Sequence, residues 1–181
     1  MIGTALPLLG AANGALLAIA AWGTASGGKR YANRFLALTL LCAALGLTYS
    51  ALEGYGLLVR YPHLIMAGAP LSFIFGPSLY LYARFLCAPS LKPRATVLLH
   101  FLPALAHQAI LIPFHLLPGD EKLIWWEEGR SFPSLFYAVA LLQAFHAAAY
   151  LCAVEFLLLR RRKAVRENLS TRERREPAWL R

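Results

Sequence analysis

The sequence predicts an all-α, polytopic membrane protein. Hydrophobic residues make up 59% of its 181 residues, whereas charged residues make up only 15%. Soluble domains carry about 25% charged residues, so this composition favours a lipid environment. The apolar residues fall into five long segments, and a helix of about 20 such residues crosses the hydrocarbon core of a bilayer. Basic residues follow alternate ends of these segments, as the positive-inside rule requires.

The segment around which the chain is organised is 64–86. It contains no Lys, Asp or Glu, and its one Arg, Arg84, lies near its end. This length is enough to span a bilayer with some tilt, and Arg84 can extend its guanidinium to the interface. Lys92 and Arg94 follow after a short break. We therefore predict a transmembrane helix that ends at the cytoplasmic face.

Four further apolar segments complete the five predicted spans. They lie near residues 2–23, 33–52, 95–116 and 134–159. The segment 95–116 contains Pro103 and Pro113 and is predicted to be kinked, because neighbouring helices in a membrane can satisfy the carbonyls that proline frees. Residues 160–181 are predicted to form a basic tail in which Ser170 begins a new, capped helix.

Basic residues define the predicted orientation, with the amino terminus outside and the carboxyl terminus in the cytoplasm. The residues expected to set this topology are Lys29, Arg30, Arg34, Arg84, Lys92, Arg94, Arg160, Arg161, Arg162 and Lys163. The net charge is +9, and half of the 18 Lys and Arg residues lie at or beyond Arg160, directly after the last apolar segment. Anionic lipids of the inner leaflet are therefore the expected partner.

The longest polar interval before the tail, residues 117–133, is predicted to lie outside. It has four acidic and two basic residues, so it lacks the Lys/Arg excess of a cytoplasmic loop. Two interpretations of its central residues remain open, an interfacial anchor and a sensor surface. The residues concerned are Trp125, Trp126, Glu127 and Glu128.

Two glycines in the first predicted span, Gly10 and Gly14, form a G-x-x-x-G pattern. In a membrane this pattern allows another helix backbone to approach closely. The neighbour is expected to be a helix of the same chain, and a homodimer is the alternative.

No motif for catalysis is present, and neither an enzyme nor a cofactor nor a metal is expected. The nucleophile elbow G-x-S-x-G, the zinc motif H-E-x-x-H and a phosphate-binding glycine loop are all absent. His100, His107 and His146 lie at membrane depth, where ionisable residues deserve a functional hypothesis. These histidines could ligate a haem or a metal ion, but the sequence offers no carboxylate to hydrogen-bond a ligating ring, so hydrogen-bonded or interfacial histidines are expected instead.

Four separated stretches carry a family resemblance. Residues 70–84, followed by 98–103, are similar to the membrane-embedded amino-terminal half of AraC-family transcriptional regulators. Residues 28–41, and residues 166–173 with 179–181 at the end, fit the same family in the same order. Such regulators join several transmembrane helices to a cytoplasmic helix-turn-helix module. The resemblance implies a membrane sensory or anchoring domain in the inner membrane of a bacterium.

The resemblance also implies a chain that stops before the DNA-binding module. A helix-turn-helix needs at least two packed helices with a core, and residues 160–181 contain too few apolar side chains to form one. We therefore expect no sequence-specific binding of nucleic acid by this chain alone. Two other functions remain open: a small permease subunit, and a stand-alone integral membrane interaction protein.

Overall fold

All regular structure in the part of the chain that the structure describes is helical. The computed structural model describes residues 2–24, 26–130 and 133–175. The α-helices are α1 (Ile2–Gly23), α2 (Arg30–Gly54), α3 (Leu57–Arg60), α4 (Leu71–Cys87), α5 (Leu102–His115), α6 (Gly119–Arg130) and α7 (Pro133–Arg175). Short 3-10 helices cover Gly27–Lys29, Pro62–Leu64 and Ala95–Phe101. The prediction of an all-α fold is confirmed.

Among the described residues, four helical segments are long and apolar enough to cross a membrane. They are Ala5–Gly23, Gly27–Gly54, Ala95–His115 and Tyr137–Glu167. Many of their large apolar side chains are exposed: Ile19 is 70% exposed, Ile110 76% and Phe145 72%. Soluble monomers rarely expose contiguous apolar surface on this scale. The structure is therefore compatible with a membrane protein.

The long helices pack in the order α1, α2, α4, α7, so α4 lies between α2 and α7. Its side chains are the most buried of the bundle, with Leu81 fully buried and Phe73 and Phe85 nearly so. Ser78 is also buried, and its hydroxyl donates to the carbonyl of Ile74 at 2.7 Å. The segment that the sequence singled out is thus the centre of the fold.

The helix in that segment begins later than the sequence predicted. Before α4 the chain forms a 3-10 helix and a series of turns, not helix from residue 64. Tyr49 of α2 explains this difference. Its hydroxyl accepts a hydrogen bond from the Met66 backbone at 3.1 Å, and a Cβ on Gly68 would lie 2.9 Å from its ring. This contact holds the chain in a turn, in which Met66 has a φ of 63°.

The proline-containing segment is helical from residue 95 to residue 115 but changes type. Its first part is the 3-10 helix Ala95–Phe101, and α5 follows directly. Pro103 lies in the first turn of α5, where no backbone donor is needed. Because a 3-10 helix rises about 2.0 Å per residue, the two parts together extend about 35 Å. Pro113 lies inside α5 near its end.

The polar interval 117–133 contains a helix, α6, that the sequence analysis did not predict. It begins directly after Pro118, and Asp120 and Glu121 lie in its first turn. Acidic side chains at this position interact favourably with the helix dipole.

Helix α7 is one continuous helix of 43 residues. Its length is about 64 Å, which is about twice the thickness of a bilayer core. The helix passes through Ser170 without interruption, so the prediction that a new helix begins there is wrong. The residues that would cap a helix start lie inside a helix that has already formed. Trp179 and its neighbours lie outside the described residues.

Both glycines of the G-x-x-x-G pattern face α2. A Cβ on Gly10 would lie 2.9 Å from Cδ1 of Leu47, and a Cβ on Gly14 would lie 3.2 Å from Cβ of Ala44. The space at Gly14 is the more restricted, because backbone atoms of Leu40 and Ala44 also lie within 3.6 Å of the position that its Cβ would take. The pattern therefore serves packing within the chain.

We predict that Gly14→Leu weakens the contact between α1 and α2. Overpacking of this kind lowers the free energy of unfolding by about 1–3 kcal/mol. Gly46→Leu is the matched control, because a Cβ on Gly46 meets nothing within 4 Å. Both changes raise helix propensity equally, so the difference between the variants isolates the contact. Unfolding of the detergent-solubilised protein measures it, and equal stabilities would contradict the packing described.

Candidate functional site

Six ring-bearing side chains meet between α4, α7 and the segment 95–115. Phe73 and Tyr80 come from α4, His100 and His107 from the segment 95–115, and His146 and Tyr150 from α7. Each pair is spaced by four or seven residues, which places both members on the same face of a helix. We call this group the histidine–tyrosine cluster; it consists of Phe73, Tyr80, His100, His107, His146 and Tyr150.

Gly76 allows the cluster to form. It lies on α4 between Phe73 and Tyr80, and a Cβ there would be 3.2 Å from Cβ of Tyr150. The absence of a side chain lets α7 approach α4 closely, and this approach brings His146 and Tyr150 to the other members.

The cluster is held by aromatic contacts and one hydrogen bond. The ring of Phe73 lies 5.2 Å from that of His107 and 5.0 Å from that of His146. Nδ1 of His100 and the hydroxyl of Tyr150 are 3.0 Å apart. This bond joins α7 to the segment before α5, so the cluster connects three parts of the chain that are distant in sequence.

Several polar atoms at or next to the cluster are buried without a hydrogen-bond partner among the described protein atoms. They are Nδ1 of His107, Oε1 of Gln108 and both ring nitrogens of His146. A buried polar group without a partner costs about 1–3 kcal/mol, so such groups are rare without a functional reason. A neutral imidazole has one donor and one acceptor. His146 therefore has a donor and an acceptor that no described protein atom satisfies.

Comparison with known proteins identifies no ligand for the histidine–tyrosine cluster. No protein-family model matches the chain, and no curated protein or solved structure is significantly similar to it. The side chains of the cluster themselves narrow the class of ligand. Within the residues that the structure describes, no three His, Cys, Asp or Glu side chains are grouped as ligands for a metal ion. The arrangement is suited to hydrogen bonding and aromatic contact.

A second group of residues forms a cap at one end of the bundle. Its core consists of Leu58, Ile65 and Phe114, with Trp126 and Leu123 of α6 packed against them. The cap joins α3, the turns before α4, the end of α5 and α6. It thereby attaches the polar interval 117–130 to the rest of the molecule.

The residues proposed from sequence as anchor or sensor have different positions in this cap. Trp126 packs on the core of the cap, and the ring of Trp125 lies 4.6 Å from that of Phe114 while 40% of the residue is exposed. Trp125 also lines a pocket of about 240 Å³, together with Leu117, Glu121 and Ile124. Glu127 is exposed, and the side chain of Glu128 lies outside the described residues. Both tryptophans therefore contact protein, which the sequence analysis did not anticipate.

Lys122 is a further residue of the cap that the sequence did not indicate; it is only 1% exposed. Its ammonium group donates to Nδ1 of His63 at 2.8 Å and to the carbonyl of His115 at 2.9 Å. A cation at this carbonyl satisfies the end of α5 and matches its dipole. His63 must accept at Nδ1, so its proton lies on Nε2. No local pattern marks Lys122 for burial, because it lies among charged residues in a polar interval.

The basic residues selected for topology lie at the opposite end of the bundle. A Cβ on Gly28, next to Lys29, would be 3.5 Å from Cβ of Pro89. This contact brings the basic interval before α2 close to the basic interval after α4. Arg161 of α7 donates to the carbonyl of Leu86 at 2.9 Å. The three basic intervals predicted to face one side of a membrane are therefore neighbours in space.

We predict that Lys122→Met destabilises the cap. The change removes the donor of two partly buried hydrogen bonds, each of which contributes about 0.5–1.5 kcal/mol to the free energy of unfolding. Lys163→Met is the matched control, since the side chain of Lys163 is 80% exposed and its ammonium group lies 3.9 Å from Glu167. An exposed pair of this kind contributes at most about 1 kcal/mol. Denaturation in detergent compares the two variants. Unchanged or increased stability in Lys122→Met would contradict the role given to this lysine.

Proposed function

We propose that the chain is a membrane sensory domain of the kind found in AraC-type transcriptional regulators. In this proposal it crosses the cytoplasmic membrane of a bacterium five times, with α4 as the third span. Helix α4 has only 17 residues, or about 26 Å, but Arg84 near its end can extend to the interface. Its central position between α2 and α7 supports a path parallel to theirs.

The proposed orientation places the basic end of the bundle in the cytoplasm and the cap outside. This orientation is supported by the proximity of three separate basic intervals at one end of the bundle. The contacts of Gly28 with Pro89 and of Arg161 with Leu86 bring these intervals together. Anionic lipids of the inner leaflet favour such an arrangement.

The observation that carries the sensory function is the continuity of α7. The same helix contributes His146 and Tyr150 to the histidine–tyrosine cluster and continues unbroken to Arg175. A change of hydrogen bonding in the cluster therefore acts directly on a helix that leaves the apolar bundle. Such a helix is suited to pass a signal inward, which agrees with the resemblance carried by residues 70–84 and 98–103.

A permease subunit is the second candidate, and the cluster itself is the observation that favours it. Polar side chains shared by α4, the segment 95–115 and α7 are the arrangement expected along a substrate path. A stand-alone integral membrane interaction protein is the third candidate, but the two glycines that allowed it, Gly10 and Gly14, face α2 of the same chain. Reconstitution into proteoliposomes tests the second candidate. An ion or solute flux that is abolished by Tyr150→Phe and by His146→Phe would favour the permease.

Topology reporters test the membrane placement. Fusions after Arg60 and Lys122 should report the outside, whereas fusions after Arg94 and Ala164 should report the cytoplasm. The pair at Arg60 and Arg94 is decisive for the number of spans, since the two sites lie on opposite sides only if α4 crosses the membrane. Identical reports from this pair would leave four spans and contradict the proposal.

A chimera tests signalling through α7. We would join the chain after Arg175 to an AraC-type helix-turn-helix module and measure a promoter reporter. Tyr150→Phe removes the bond to His100 and should change the reporter output, because it alters the cluster on α7. Three glycines inserted after Ala164 should remove this effect, whereas seven helix-forming residues should preserve it, since they rotate the helix by only about 20°. An effect of Tyr150→Phe that survives the glycine insertion would contradict transmission through the helix.

A further inference from the structure

The five basic residues at positions 160–166 divide into two groups on α7. Leu158, Arg161, Arg162, Val165 and Arg166 share one face of the helix and line an open groove of about 480 Å³. Arg160 and Lys163 do not line the groove, and each contacts another residue of α7. The guanidinium of Arg160 lies 4.3 Å from the ring centre of Phe156, and Lys163 is near Glu167.

The position of this groove is set by Arg161. Its guanidinium donates to the carbonyl of Leu86, near the end of α4 where the last carbonyls have no partner within the helix. One nitrogen of the group is thus fixed, and the remaining donors are held beside Arg162 and Arg166. The groove lies where apolar α7 becomes basic, next to the end of the central helix.

The lining combines two chemistries. Three guanidinium groups provide the forked donors that bind phosphate oxygens in pairs. Leu158 and Val165 alternate with them and offer apolar surface to the same ligand. Among the described residues that line the groove, none is acidic. A ligand with a phosphate and an adjoining hydrocarbon part satisfies both chemistries, whereas a free phosphate or a nucleic-acid backbone leaves the apolar positions unused.

We propose that this groove is a specific headgroup site for an anionic phospholipid, which binds through its phosphodiester. The inference rests on the proposed membrane placement and goes beyond it, because a general attraction of basic residues to a negative surface requires no particular arginine. Here Arg162 and Arg166 bind the phosphate, Arg161 positions the groove, and Leu158 contacts the glycerol and first acyl carbons.

Two double variants with the same loss of charge test the site. Arg162→Gln with Arg166→Gln removes two groove residues, whereas Arg160→Gln with Lys163→Gln removes two residues outside it; Arg161 stays in both. Each protein is extracted from vesicles of phosphatidylglycerol and phosphatidylcholine, and the lipid that remains bound is measured by native mass spectrometry. The groove variant should retain at least about fivefold less phosphatidylglycerol than the wild type, and the control should stay within about twofold.

Each other result overturns the proposal in a recognisable way. An equal loss in both variants would show a response to charge alone, and no loss in either would show that the groove holds no lipid. Displacement of the lipid by millimolar inorganic phosphate would identify a soluble phosphate as the ligand, and displacement by short duplex DNA a nucleic acid. The topology fusions report separately on membrane placement, so a lost lipid site with intact topology is distinguishable from a failure of the proposed function.

Discussion

The contact between Gly76 and Tyr150 is the constraint on which the candidate site depends. A backbone without a side chain at this point lets α7 lie against α4, and this distance places His146 and Tyr150 beside the rings from α4 and the segment 95–115. A larger residue at position 76 would push the two helices apart, because even a Cβ there would lie 3.2 Å from Cβ of Tyr150. The hydrogen bond between His100 and Tyr150 could then not form at 3.0 Å.

The two ends of the bundle are stabilised by different means. At the cap, apolar side chains surround a buried lysine whose bonds join α6 to the turns before α4 and to α5. At the basic end, Asn33 donates to the carbonyl of Thr24 at 3.1 Å, and the guanidinium of Arg34 lies 5.3 Å from the ring centre of Trp22. Contacts at this end are more exposed and use longer side chains, whereas the cap is compact.

Sequence reasoning succeeded where a single physical term dominates. Long apolar runs identify helices because lipid and protein interiors impose the same demand on the backbone. It failed where a tertiary contact decides the outcome. The start of α4 depends on Tyr49, which is distant in sequence, and the burial of Lys122 depends on His63 and a carbonyl of α5. The histidines were recognised as candidates, but only the packing of three separate segments shows that Tyr150, Tyr80 and Phe73 join them.

The length of α7 has a mechanical consequence. Tyr150 and Arg175 lie on one uninterrupted helix, separated by 25 residues or about 38 Å of axis. If the helix pivots as a rigid body at the cluster, a tilt of about 5° moves the far end by about 3 Å. A rigid helix also rotates as a unit, so a rotation about its axis at Tyr150 produces the same rotation at Arg175. A rearrangement no larger than one hydrogen bond in the bundle would thus become a displacement of about 3 Å at the opposite end.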